Sequence, residues 1–184
     1  MNIRIPLLLL TFLFSAAQAA DPASALKLDP EKQYAVRLTL VGQTRLLNIG
    51  EIQVFSGDTN IALAGKASMS SSAQEYPPAN LIDGNTSGKP SEPGGLAHSH
   101  WEVAPWAEIS LPKTDRVDRI VVWNRFPDGE DATTRLLPFK LTVFDENRNV
   151  VWETLIRHAR IQTRTEAKAG DNRFQKIEVP VRRP

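Results

Sequence analysis

The strongest constraint on this chain is a two-residue alternation of apolar and polar side chains, recurring in short segments with turn residues between them. In Tyr34–Leu40, Val36, Leu38 and Leu40 share one face while Arg37 and Thr39 share the other. Successive strand residues point to opposite sides of a sheet, so this is the pattern of a half-buried strand. Leu47–Phe55, Trp106–Leu111, Val117–Asn124, Phe139–Phe144 and Phe174–Pro180 read the same way, with Val150–Glu153 and Arg160–Arg164 as further strands. Ser56-Gly57-Asp58 and Asp145–Asn149 are the turn punctuation. A helical period is visible only weakly, around Ala79–Ile82. Many short strands of this kind predict an all-β antiparallel sandwich with little helix, its core being the shared inner face of two sheets. Residues 66–100 are rich in Ser, Pro, Gly and Asn and read as a long organised loop region. That length inside a compact domain points to function, or to ordering by something other than hydrogen-bond ladders.

The start of the chain obeys different rules. One positive charge at Arg4, an apolar run from Ile5 to Phe14 and the small residues Ser15–Ala20 have the form of an export signal, with Ala17-Gln18-Ala19 placing cleavage after residue 19. The apolar run is too short to span a hydrocarbon core of about 30 Å, and no second one follows, so no membrane span is expected after cleavage. The expected organisation is a leader over 1–19, an extended and loosely held lead-in over 20–31, and one domain over 32–181. A secreted or periplasmic location follows. Loss of Arg4 with the leader leaves the acidic and basic residues of the 184-residue chain in balance, which argues against nucleic acid as a partner. The chain has no cysteine, so a disulfide framework, a thiolate nucleophile and a zinc ribbon are excluded.

The segment Asn60–Ser68 followed by Ala79-Asn80-Leu81-Ile82-Asp83-Gly84-Asn85 resembles the opening of discoidin-like domains, the coagulation-factor type C superfamily. His98, Pro105–Leu111, Ile120–Arg125, Arg135-Leu136, Leu141–Asp145 and Val151-Trp152 keep the order and nearly the spacing of the fucose-binding F-type lectin (fucolectin) branch. The resemblance covers most of residues 34–180 and implies a galactose-binding-like jelly-roll sandwich. In many such domains a Leu-x-Leu-x-Glu-Val-x-Val strand lies at the C-terminus. Here the similar Leu47–Val54 precedes the Asn60 segment, so the chain reads as a circular permutant, which adjacent termini make tolerable.

Asn80, Asp83 and Asn85 offer three oxygen ligands within six residues, and Gly84 permits a tight turn. Calcium takes six to eight oxygens of this kind. An Asx-rich turn without metal has the same composition. The resemblance implies a structural calcium ion at these positions, completed by Glu51 and by backbone carbonyls, one near Gly50. Where the family has a serine ligand this chain has Gly95, which offers only its carbonyl.

The resemblance also implies a sugar site made of His98, Arg125 and Arg135, since the lectin branch binds fucose with one histidine and two arginines. Arginine presents a rigid fork of donors to hydroxyl and ring oxygens, and a neutral imidazole accepts or donates. Trp101 or Phe126 is a candidate to cover the apolar face of the sugar. The family's adjacent cysteine pair between its arginines is replaced here by the longer, acidic interval Phe126–Thr134. Surface ion pairing of the arginines with Asp128, Glu130 or Asp131 is the plainer reading of that interval.

No Gly-x-Ser-x-Gly, His-Glu-x-x-His or phosphate loop occurs, and Glu102, Glu108, Asp128, Glu130 and Asp131 fall in no catalytic motif. The expectation is a non-catalytic binding module for a glycan, with fucosylated glycans the class that the resemblance implies. A module that binds an envelope or extracellular protein on the same scaffold is the alternative.

Overall fold

The structure is a computed structural model that describes residues 25–126, 135–157, 162–163 and 175–182. The expected leader, the first part of the lead-in and the acidic interval after Phe126 lie outside the described residues. Two antiparallel sheets carry the fold, as the alternation predicts, and no α-helix occurs among the described residues. One sheet runs in the order β13 (Val150–Ile156), β12 (Phe139–Asp145), β2 (Tyr34–Leu40), β9 (Trp106–Ser110) and β6 (Lys66–Met69). The other runs β14 (Gln162–Thr163), β15 (Gln175–Pro180), β11 (Arg119–Asn124), β4 (Asn48–Ser56) and β5 (Thr59–Asn60), with β7 (Ala97–His98) paired to the start of β4. Two short ladders complete the set: β1 (Leu26–Lys27) with β10 (Arg116–Val117), and β3 (Thr44–Arg45) with β8 (Glu102–Val103).

The inner faces meet in one apolar cluster. Val36, Leu38, Leu40, Ile109, Phe139, Leu141 and Val143 from the first sheet pack with Ile49, Ile52, Val54, Ile120 and Val122 from the second. Burial of that area is the main driving force for association of two sheets. The lead-in departs from expectation. From Ala25 it belongs to the domain: Leu26 and Leu28 are buried, Leu26 N donates to the Val181 carbonyl, and Ala25 bridges Arg182. Asn60–Ala64 also departs from the strand type around it. Asn60 Oδ1 accepts from Ala62 N and from Val54 N, capping a 3₁₀ turn over Ile61–Ala64. A second 3₁₀ turn over Pro78–Leu81 corresponds to the weak helical period.

One irregularity in β4 governs the site. Trp123 pairs with Glu51 but Asn124 pairs with Ile49, so Gly50 is an extra residue, a β-bulge. Without the bulge Ile49 and Glu51 would share a face. With it, Leu47 and Ile49 point inward, Ile52 and Val54 also point inward, and Glu51 turns outward beneath the loop at Asp83-Gly84.

Candidate functional site

The 66–100 region folds over the outer face of β4, and the candidate cation ligands meet there. Glu51 is fully buried. Its Oε1 accepts from Gly84 N at 3.1 Å, while Oε2 is enclosed with no hydrogen-bond partner. Burial is the main cause that pushes its pKa up to about 8, and the nearby Asp83 charge adds to it, against the Gly84 and Asp83 backbone amides. Asp83 Oδ1 accepts from Asn85 N at 2.8 Å. The two asparagines are tied more locally. Asn85 donates through Nδ2 to the Pro93 carbonyl and accepts from Ser87 N, and Asn80 Nδ2 donates to the Leu96 carbonyl. The loop thus brings Glu51 and Asp83 together, with Asn85 in the same turn and Asn80 anchored toward Leu96.

The fit to a hard cation rests on Glu51. Burying a carboxylate with one oxygen unpaired is costly, and an ion relieves both the desolvation and the repulsion from Asp83. No cluster of three or more His, Cys, Asp or Glu side chains occurs among the described residues. The donor set is two carboxylates plus amide and backbone oxygens, a composition suited to calcium rather than to zinc.

The candidate sugar residues converge at the same end of the sandwich. His98 ends β7, Arg125 follows β11, and Arg135 begins the segment leading into β12. Burial is the largest cause that holds the His98 pKa below its ordinary value, opposed by the Ser99 backbone, and the charges of Arg125, Arg135 and His100 all add to the lowering. The ring is therefore neutral at pH 7, with both guanidinium charges acting on it. Tyr76 lies against it with ring centres 5.6 Å apart. Arg45 Nη2 donates to the carbonyls of Arg135 and Leu137, tying the β3–β8 ladder to this corner. Trp101 and Val103 project from that ladder at 62% and 74% exposure. Phe126 is half-buried with the Lys89 ammonium 5.4 Å from its ring centre, so Trp101 is the more available apolar surface. The carboxylates Asp128, Glu130 and Asp131 lie outside the described residues.

Of the other candidate acids, Glu108 is held by Arg37 Nε at 2.7 Å and by a fork from Arg148 at 3.0 and 2.8 Å. Burial works to raise its pKa, but the two guanidiniums prevail and the net shift is downward. The stability it supplies is present above the ordinary glutamate pKa and is lost as pH falls through the lowered value. Glu108→Gln is expected to cost roughly 1–3 kcal/mol at pH 7 and less at pH 3, read from urea melts at both. Glu102 accepts from the hydroxyls of Ser70 and Ser71, both at 2.6 Å.

Sequence reasoning did not single out Asn48, Tyr76 or Arg45, which complete this corner. They reach it through pairings 50 or more residues away in the chain or through the loop fold. Comparison of the chain with family models, curated proteins and solved structures gives no match.

Proposed function

We propose that this chain is an exported, non-catalytic carbohydrate-binding module of the discoidin-like type, a permuted jelly roll with a structural calcium ion. The observation that carries the reading is the half-buried His98 with the charges of Arg125 and Arg135 acting on it, three residues before the exposed Trp101 in the chain. Guanidinium forks read vicinal hydroxyls, the imidazole edge adds one directed hydrogen bond, and an exposed indole covers the apolar face of a pyranose. Glu51 and Asp83 would hold the calcium ion, with Asn80, Asn85 and backbone carbonyls as further oxygens. When bound, the ion neutralises two carboxylates and orders the loop that leads to His98. A non-catalytic role accords with Glu108 and Glu102 being engaged in ion pairs and hydroxyl hydrogen bonds. Fucosylated glycans are the first class to test.

Wild-type protein is expected to bind glycans on an array in the presence of calcium. Arg125→Ala is expected to bind roughly 10- to 100-fold more weakly while keeping the wild-type circular dichroism, as befits loss of a charged donor. Equal binding by the variant defeats the site assignment. A blank array for the wild type favours the alternative, an envelope or extracellular protein as partner, for which the exposed Trp101 and Val103 are the specific support.

A further inference from the structure

Asn48 opens β4 and His98 closes β7, and the two are directly opposed in the antiparallel pair. Opposed residues in such a pair project from the same face, with Cβ atoms about 5 Å apart. The next pair, Ile49 and Ala97, is fully buried in the core. Asn48 and His98 therefore share the outer face, under the loop whose Tyr76 carbonyl accepts from His98 N and whose Ala73 N donates to the His98 carbonyl. Asn48 is only 3% exposed, and neither its Oδ1 nor its Nδ2 has a hydrogen-bond partner. His98 Nδ1 is enclosed without a partner as well. Native interiors leave very few such groups unpaired, and two of these three, Asn48 Nδ2 and His98 Nδ1, have a shared chemical solution. The amide N–H is a donor, and Nδ1 of a neutral imidazole carrying its proton on Nε2 is an acceptor. Nδ1 is also the ring nitrogen nearer the backbone, and so the one within reach of an opposed strand residue.

We propose that Asn48 is a positioning residue for His98: a small rotation lets its amide N–H donate to Nδ1, which fixes the ring as the Nε2–H tautomer. The outward edge of the ring is then a fixed donor, which selects a hydroxyl or ring oxygen acting as acceptor. This functional consequence rests on the carbohydrate-binding reading, whereas the tautomer does not. The ring charge is set by burial and by Arg125, Arg135 and His100, with the Ser99 backbone opposing.

Long-range ¹H–¹⁵N correlation spectra of the ligand-free, full-length folded protein test this at the ring itself. The chain has three histidines, His98, His100 and His158, and His98→Gln assigns the signal. Wild type is expected to show a protonated Nε2 and an unprotonated Nδ1 for His98 near neutral pH. Asn48→Asp, which accepts where the amide donates, is expected to move the proton to Nδ1. Asn48→Leu is expected to give shifts averaged between the two tautomers, with glycan binding roughly tenfold weaker. A wild-type ring protonated at Nδ1, or averaged, overturns the inference even if neither variant folds. An Asn48→Leu ring that keeps the wild-type pattern overturns it as well. A fixed Nε2–H tautomer with a blank wild-type glycan array upholds the positioning role and defeats the carbohydrate reading alone.

Discussion

Replacing Glu51 with glutamine is expected to stabilise the metal-free protein and to abolish its response to calcium. Glu51 is fully buried and its folded-state pKa is pushed up to about 8. In the metal-free protein its favourable contribution is fully present below the unfolded pKa and is lost as pH rises through about 8. The slope is at most about 1.4 kcal/mol per pH unit, so the protonated-state advantage amounts to about 5 kcal/mol at the upper limit. Glutamine keeps an acceptor for Gly84 N and carries no charge. In EDTA, the wild-type melting temperature is expected to fall relative to that of the variant between pH 5 and pH 8, leaving the variant on the order of 10 °C higher at pH 8. Added calcium narrows the gap, because the ion binds the deprotonated carboxylate of the wild type alone and stabilises it by about 2.7 kcal/mol at a hundredfold excess over Kd. Calorimetric scans of both proteins at two pH values, with and without calcium, decide the matter. A calcium-induced rise in the variant equal to that of the wild type removes Glu51 from the cation site.

The second large effect is expected at Gly88. Its φ of +68° belongs to the left-handed region, and a Cβ there would collide with the Asn124 carbonyl oxygen and come within 2.8 Å of Phe126 N. Gly50, the bulge residue, faces it so closely that a Cβ would lie 2.9 Å from Gly88 Cα. Both neighbours are backbone, which has no rotamer to escape into. Gly88→Ala therefore displaces the 124–126 segment, breaks the Phe126 N to Gly88 carbonyl hydrogen bond of 2.8 Å, and carries Arg125 with it. The cost combines strain and overpacking, roughly 2–4 kcal/mol, or a melting-temperature loss on the order of 5–10 °C. Gly84 is the internal control: its φ is +87°, but only Leu63 Cδ2 at 3.8 Å would meet a Cβ. Gly84→Ala should cost only the conformational penalty, about 1 kcal/mol. Equal losses in the two variants would mean that the close approach at Gly88 contributes nothing.

Strand identity was legible because a half-buried strand writes its two faces into alternate residues. Tyr34–Leu40 was found to the residue, and β9, β11, β12 and β15 within a few. The alternation of Leu47–Phe55 reads as unbroken, whereas a bulge interrupts it. The inward residues are odd-numbered at Leu47 and Ile49 and even-numbered at Ile52 and Val54, and that change of phase at Gly50 is the bulge. The packing of Leu26 and Leu28 left too short a pattern to distinguish from a tail, since two apolar residues beside Pro and Lys satisfy no period. At the site, His98, Arg125 and Arg135 came from a resemblance in order and spacing. Asn48 escaped notice because an asparagine between apolar neighbours reads as the solvent face of a strand. Only the loop folded over that face makes it a buried amide, and long-range pairing of this sort leaves no local mark.

The meeting of Ala25 with Arg182 has a consequence for how such a domain is presented. Pro180 pairs with Arg119 at one end of β11, whereas Arg125 follows the other end, Asn124, which lies five residues and about 17 Å further along the strand. A tether at either terminus would therefore leave from the pole opposite Trp101, His98 and the arginines. Fused to a larger protein or leashed to an envelope surface, the domain would hold that corner outward, like a cup carried by its base.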